Sequence, residues 1–415
     1  MHELYIPDFS YDNFLTRTIK KGDTPESVAL ELGIDPFALR NYHNRYAPLE
    51  DLIGPHFPYH LKLIIIKPEE VELTEEEKEQ QRKNVVFNDA PGKLSLNYSQ
   101  GEHTYGVLYT IENGEETNTV KHTIKVIWLA QNSGYHFYKV IRGQDIYIND
   151  TAANTMAEEI AHKAAQALYP LTIVVNENSE WIDIYNFEDI KERWNETKEQ
   201  IRKYYKGSFV EKYFTIQDKN LEDGHTLFLS LRKDWFLNSL FNGIQVQYPP
   251  AKSISRNILF PHLAKTDSLK YDIEQTIDER LDTDNLIVID LHGKLNDTRT
   301  KTDFENELNI HVKEYSEEKP TGNYQAKYYL NPNNYMPEAF MVSCDVGLDN
   351  PQKYAVTATN LHTEKELVIA SRQSTFVGVN KIAKKSDNSF WFCFFMILIL
   401  AGTIYLFIKY LTYKF

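Results

Sequence analysis

The chain is poor in cysteine: its 415 residues include only Cys344 and Cys393. Cys393 falls in an apolar run near the C-terminus and Cys344 in a predicted strand, so no disulfide is expected within the body of the protein. Cys344 has no obvious base near it in the sequence, which favours a small buried hydrophobic residue over a nucleophile. This cysteine usage is typical of a reducing compartment.

The chain also has few basic residues. Lysine and arginine number 45 against 59 aspartates and glutamates, which gives a formal net charge of -14. Proteins that bind phosphate backbones or anionic lipid surfaces usually carry a basic patch, and this sequence has none. We therefore expect no nucleic-acid partner.

Motifs that carry chemistry are missing as well. The sequence has no phosphate-binding glycine loop, no Gly-x-Ser-x-Gly motif and no zinc-ligand spacing. His56 and His60 are four residues apart, but Pro58 breaks the helix that would bring both rings to one face. Glu158 and His162 are best interpreted as a polar helix face. The sequence therefore predicts a non-enzymatic protein with no catalytic residues, metal or cofactor.

The N-terminus lacks an export signal, and the C-terminus has a long stretch without charge. The first residues, MHELYIPDFSYDNFL, contain neither a basic n-region nor an apolar h-region, so we expect no signal peptide. Residues 390–408 read FWFCFFMILILAGTIYLFI. A helix of this length spans roughly 28 Å, close to the thickness of a bilayer core. The pattern predicts a transmembrane tail anchor that makes the membrane a partner.

Lysines on either side of this run indicate its orientation. Lys381, Lys384 and Lys385 precede the run, whereas only Lys409 and Lys414 follow it. An excess of positive charge before the span weakly favours a cytoplasmic N-terminal side. The expected localisation is therefore the inner membrane, single-pass and tail-anchored, with a cytoplasmic body inserted after translation.

A small module is indicated between residues 16 and 66. A short strand at residues 17–20 leads into Gly22, Asp23 and Thr24, where glycine tolerates positive φ and the polar residues can cap a helix. Gly33 supplies a helix stop, Asp35 begins a second helix, and residues 61–66 supply a second strand. The predicted order is strand, helix, helix, strand.

This order, with KKGDT at the first turn and a tyrosine, histidine and asparagine closing the second helix, resembles the LysM domain. The resemblance implies a βααβ fold for residues 1–67 and a groove for acetylated glycan chains of peptidoglycan or chitin. In that groove Gly22, Asp23 and Thr24 would form one wall, and Asn44 with the residues after it the other.

The sequence departs from the family at residues 45–60, where a stretch with three prolines replaces the usual short loop with a Gly-Gln pair. A module that docks onto another protein is therefore the alternative to glycan binding. The extended loop looks like LysM modules beside type VI-like, contractile injection loci of Bacteroidetes. That resemblance implies a protein partner within such a machine.

The rest of the chain indicates an α+β protein rich in antiparallel sheet. Residues 68–84 form a charged linker, residues 85–250 an antiparallel sheet with two packed helices, and residues 251–380 a second sheet-rich half. Asn149, Asp150 and Thr151 are expected to cap the first of these helices, and residues 235–241 form a short amphipathic segment. The complete fold prediction is a βααβ module, these sheet domains and one C-terminal transmembrane helix.

Tyrosine is abundant in the second half, with Tyr324, Tyr328 and Tyr335 on or beside predicted strands. Such rings fit a ligand-lining sheet, but cross-strand packing explains them without a ligand and is favoured.

These features support one main hypothesis and two alternatives. The main hypothesis is a membrane-tethered interaction or scaffold protein with a LysM docking module, in or beside a contractile, type VI-like secretion system. The first alternative is a secreted effector or toxin that uses the LysM module as an adaptor and the C-terminal helix for membrane insertion. The second is a peptidoglycan-binding envelope protein.

Overall fold

The computed structural model describes residues 9–68, 82–89, 91–96, 101–152, 156–262, 267–310 and 318–361. All structural statements below concern these residues.

Residues 9–68, the N-terminal module, contain two strands and two helices in the order β1 (Thr16–Thr18), α1 (Pro25–Leu32), α2 (Pro36–Tyr46) and β2 (Leu63–Ile65). Thr24 caps α1 in a reciprocal capping box with Ser27, and Gly33 ends the helix at a φ of 68°. Asp35 caps α2 by accepting from two backbone N–H groups. β1 and β2 pair in antiparallel orientation.

The other strands belong to one large antiparallel sheet. The bounds of these strands are β3 (Glu102–Asn113), β4 (Glu116–Asn132), β5 (Tyr135–Ile148), β6 (Thr151–Ala152), β7 (Leu171–Val175), β8 (Trp181–Ile184), β9 (Ser253–Phe260), β10 (Leu269–Ile277), β11 (Ile287–Leu295), β12 (Asn323–Leu330), β13 (Pro337–Val346) and β14 (Gln352–Asn360). The order in the sheet is β8-β7-β5-β4-β3-β14-β13-β12-β11-β10-β9, and the short strand β6 pairs with β5.

The predicted division into two successive sheet-rich halves was wrong. β14 returns to pair with β3 along the whole of its length, from Gln352 opposite Asn113 to Asn360 opposite Tyr105. This pairing joins the two halves into one sheet of twelve strands. The pairing partners are far apart in the chain, and local periodicity carries no information about them.

The described helices outside the module are more numerous than the two that the sequence indicated. Their bounds are α3 (Met156–Gln166), α4 (Phe187–Tyr204), α5 (Ser208–Asn220), α6 (Gly224–Leu231), α7 (Trp235–Leu240) and α8 (Lys301–Glu305). Helix α3 follows β6, and the run from α4 to α7 connects β8 to β9.

Helix α7 lies inside the curl of the sheet. The Trp235 ring centroid is 5.9 Å from that of Tyr109 on β3 and 6.0 Å from that of Phe260 on β9. Since five strands separate β3 from β9, one indole can reach both only if the sheet curls around it. Tyr324 and Tyr328 are fully buried on this concave face, where Tyr328 packs on Phe340.

The predicted transmembrane anchor and inner-membrane localisation are contradicted. Among the described residues no helix combines the length and the apolar character needed to cross a bilayer. The segment that carried the prediction, residues 390–408, lies outside the described part of the chain.

Candidate functional site

The N-terminal module packs on the convex face of the large sheet. Phe37, in the first turn of α2, contacts a small apolar cluster on strands β11 to β13 and the loop before them. Beside it Lys327 donates to the Asp35 carboxylate at 2.9 Å and lies 5.5 Å from the Phe37 ring centroid. The cluster consists of Leu286, Val288, Tyr329 and Ala339.

A second contact forms where the module's long loop meets β3. Gly54 lies so close to this strand that a Cβ added there would stand 2.9 Å from a methyl of Leu108. Gly106 provides matching room for Leu52, whose side chain would lie 3.1 Å from an added Cβ. Two glycines on opposite sides therefore allow the loop backbone and the strand to approach closely.

Asn44 holds this loop from the side of α2. Its amide nitrogen donates to the Ile53 carbonyl and its amide oxygen accepts from the Ile53 N–H, both at 2.8 Å. Both residues are almost fully buried. The side chain predicted to line a glycan groove thus has both its polar atoms engaged within the module.

Arg40 connects the two regions that would be the walls of such a groove. Its Nε donates to the Gly54 carbonyl at 2.7 Å, and its Nη2 donates to Glu26 in the first turn of α1. Arg40 is 3% exposed, and burial lowers its pKa, although Glu26 opposes that effect. Arg40 of α2 is therefore joined to α1 by an ion pair and to the loop by a hydrogen bond to a backbone carbonyl.

The other three predicted groove residues lie together at the turn before α1. Gly22 has a φ of 92°, and Thr24 caps the helix. Asp23 accepts from the Lys20 N–H at 2.8 Å and from Arg17, and the Arg17 hydrogen bond lowers the pKa of this carboxyl. The structure therefore groups Gly22, Asp23 and Thr24 at the surface and leaves Asn44 buried.

A cleft of about 530 Å³ lies between the module and the sheet, and we call it the module–sheet cleft. One wall is the proline-containing loop, the floor is the β3–β4 hairpin, and the far wall is the turn after β5. The lining residues are Leu52, His56, Phe57, Pro58, Tyr59, Leu108, Thr110, Thr117, Thr119, Lys121, Asn149 and Asp150.

A buried ion pair lies in the lining of this cleft. Lys121 on β4 is 1% exposed, and its Nζ donates to Asp150 at 2.7 Å and to the Glu50 carbonyl of the module. Burial lowers the pKa of Lys121, and the Asp150 charge opposes the shift. Lys121 and Asp150 neutralise each other's charge, and the hydrogen bond from Lys121 to the Glu50 carbonyl links the sheet to the module.

The turn that positions Asp150 differs from the expected helix cap. Asn149 and Asp150 have φ values of 47° and 62° and form the two-residue loop between the paired ends of β5 and β6. Consecutive positive φ values define a type I′ hairpin turn, for which asparagine and aspartate are favoured residues. The local signal was present in the sequence, and hairpin chemistry was the correct interpretation.

A cluster of polar side chains in the module lies next to the Lys121–Asp150 pair. His60 contacts Asp51 at 2.8 Å and lies 3.9 Å from Asp150, while the Tyr11 hydroxyl donates to Asp51 at 2.6 Å. Burial alone would raise the pKa of Asp51, but the hydrogen bonds from His60 and Tyr11 outweigh it and lower the pKa. The loop containing His60, which the sequence predicted to lie at the surface, is thus held by the hydrogen bond between His60 and Asp51.

His43 fixes the base of this loop. Its Nδ1 accepts from the Ile65 N–H at 3.0 Å, so in the neutral ring Nε2 carries the proton and donates to the Asp51 carbonyl at 3.1 Å. Complete burial lowers the pKa of His43 to about 4. The ring is therefore neutral at physiological pH.

The floor of the cleft carries uncharged hydroxyl groups, and its rim carries an aromatic ring. Thr110 and Thr119 are direct cross-strand partners, and Thr117 lies further along β4. Tyr59 at the rim is 73% exposed. This surface can accept a polar, uncharged group next to an aromatic ring. Within the described ranges no set of three or more His, Cys, Asp or Glu side chains is arranged to hold a metal ion.

Comparisons with known proteins give little help with function. No family model matches the chain, and no curated protein matches it. A solved structure titled for lipid–protein interactions in lipovitellin is similar to 66% of this chain at 10% identity, with a TM-score of 0.35. This chain spans 25% of the length of that chain. Similarity at this level carries no argument about function.

Proposed function

We propose that this protein is a non-enzymatic interaction protein that binds a segment of a partner protein in the module–sheet cleft. The observation that carries the proposal is that both parts of the chain build the cleft. Loop residues 52–59 supply one wall, and Lys121 of the sheet donates to the Glu50 carbonyl of the module behind it. A module fixed in this way presents a single composite binding surface.

The chemistry of the cleft favours a protein partner. Interface cores are depleted in unpaired charge and enriched in aromatic residues. Here the Lys121–Asp150 pair is internally neutralised, and Phe57 and Tyr59 lie at the wall and rim. A volume of about 530 Å³ suits an anchoring side chain or a short chain segment rather than a whole domain.

Glycan binding at the turn containing Gly22, Asp23 and Thr24 is less well supported. Arg40 connects the α1 side to the loop side, and Asn44 has no free polar atom. The resemblance of residues 16–66 to LysM modules of contractile injection loci supports a component of such an apparatus as the setting. We propose that setting on the resemblance alone.

Site-specific photo-crosslinking tests the proposal. Benzoylphenylalanine replaces Tyr59 at the cleft rim and, as a matched control, Tyr185, which is 70% exposed at the far edge of the sheet. Irradiation of producing cells should yield a discrete protein adduct at position 59 and not at 185. Thr119→Val keeps the side-chain shape, removes a hydroxyl from the floor, and should reduce the adduct.

Three results would contradict the proposal. Equal adducts at positions 59 and 185 would mean non-specific contact. No adduct at position 59 would leave the cleft without a protein occupant. An adduct that muramidase or chitinase digests would assign the cleft to a glycan.

A further inference from the structure

The two edge strands of the sheet differ in how they are covered. The Trp181 N–H of β8 donates to the Phe241 carbonyl, and the Gly243 N–H donates to the Ser179 carbonyl, both at 3.3 Å. Chain after α7 thus covers that edge. At the opposite end β9 pairs with β10, and no backbone group of the described residues pairs with its outer edge.

β9 also lacks three of the features that commonly protect an edge. Its register with β10 is regular over the whole strand, without a bulge. Ser255, Asn257 and Leu259 project from its exposed face, and Leu259 is 56% exposed. Natural edges are commonly blocked by lysine, proline or a bulge, and none of these occurs between Ser253 and Phe260. The edge is therefore suited to strand addition.

Arg256 adds a chemical preference to this edge. It lies on the concave side, like Ile258 and Phe260, and its Nη1 donates to the Asn242 carbonyl at 3.0 Å. Its Nε and Nη2 are buried and have no hydrogen-bond partner in the described part of the chain. These two nitrogens form the side-on fork that matches the two oxygens of a carboxylate.

The charged surroundings of Arg256 leave the fork without a counter-ion in contact among the described residues. Glu180 is the acidic group near Arg256: a Cβ added to Gly243 would lie 3.3 Å from Glu180 Oε1 and 3.5 Å from Arg256 Nη1. No ion pair joins the Arg256 and Glu180 side chains in the described structure, and the other nearby groups are the hydroxyls of Tyr248, Tyr324 and Tyr328. A buried guanidinium without a counter-ion is unfavourable.

We propose that the outer edge of β9 takes an extended strand of a partner polypeptide, which places an aspartate or glutamate opposite Arg256 on the concave face. The added strand satisfies the free backbone groups of the edge. Directly opposed residues have their Cβ atoms about 5 Å apart, which is within reach of a carboxylate–guanidinium contact. The free edge and the unpaired fork are independent observations that select the same occupant.

A second copy of this chain is a poorer occupant. Two antiparallel β9 strands centred on Arg256 would set the two guanidinium groups against each other. Centred on Asn257, they would place Arg256 opposite Ile258 and leave the fork unpaired. The acidic strand is therefore assigned to a different protein.

A peptide pair tests the proposal on the full chain. The probe is a peptide with the sequence of β10, Leu269–Ile277, which is an antiparallel partner of β9 of matching length. It carries Ile273→Glu, which stands opposite Arg256 when the peptide adds to the outer edge in the register that β10 has on the inner edge. The matched probe carries Ile273→Gln. We expect the glutamate peptide to bind at least tenfold more tightly in fluorescence anisotropy and to slow amide exchange across Ser253–Phe260.

Two variants test separately the contributions of the β9 edge and of the Arg256 fork to peptide binding. Arg256→Gln should remove the difference between the peptides, and Leu259→Lys, an exposed change, should weaken both. Equal binding of the two peptides to the unaltered chain, or exchange protection outside β9, would overturn the proposal. A dimer in sedimentation that Leu259→Lys dissociates would also overturn it, by assigning the edge to a second copy.

Discussion

Replacing Asn44 by alanine should destabilise the loop of the N-terminal module severely. The side chain is 1% exposed and makes two 2.8 Å hydrogen bonds to the backbone of Ile53, which is itself fully buried. Alanine leaves a buried N–H and a buried carbonyl without partners. At about 1–3 kcal/mol for each group, the expected loss of stability is about 2–6 kcal/mol.

Asn41→Ala is the matched control, because Asn41 lies on the same helix, is 5% exposed, and has an amide oxygen without a partner. Its cost should stay below about 1.5 kcal/mol, the net value of an ordinary hydrogen bond. Hydrogen exchange at the Ile53 and Ile65 amides measures the local opening free energy in both variants. If Asn44→Ala costs no more than Asn41→Ala, the structural role assigned to Asn44 is refuted.

Three further predictions concern buried charge, pH and thiol reactivity. Lys121→Met should lower the free energy of unfolding in urea by about 3 kcal/mol because it leaves Asp150 unpaired. The control Lys125→Met, at an exposed ion pair, should lower it by less than about 1 kcal/mol. Equal losses would contradict the role assigned to the buried pair. The pKa of His43 falls on folding from 6.5 to about 4, so His43 contributes stability above pH 6.5 that is lost as the pH drops towards 4. The loss is about 3 kcal/mol for this residue, and an unchanged unfolding midpoint across that window would contradict it. Burial raises the pKa of Cys344, so iodoacetamide should label it only after unfolding, as peptide mass spectrometry can show; labelling of the native chain would contradict its placement.

Local signals in the sequence correspond to local structure. Thr24 and Asp35 each cap a helix, and Gly33 ends one with a left-handed backbone. Each of these depends on a few neighbouring residues, whose chemistry can be read directly from the sequence. The Asn149–Asp150 turn was equally local, but the same residue types favour a helix cap and a hairpin turn, and the wrong alternative was chosen.

Features that depend on distant contacts could not be predicted. The pairing of β14 with β3 and the contact between Gly54 and Leu108 join segments with no shared local pattern. Lys121 lies in an alternating strand like any exposed lysine, and only the module above it makes it buried. The cleft was missed for this reason, because its walls become neighbours only through tertiary packing.

Zero-length carbodiimide coupling tests most directly whether the module and the sheet form one surface. The reagent joins a carboxylate to an amine already in contact, and Asp35 of the module lies 2.9 Å from Lys327 of the sheet. Lys198 and Asp218, 2.6 Å apart on α4 and α5, are the positive control. We predict that mass spectrometry of the full chain detects both linked pairs. Detection of the Lys198–Asp218 link without the Asp35–Lys327 link would contradict the docked module and, with it, the composite cleft.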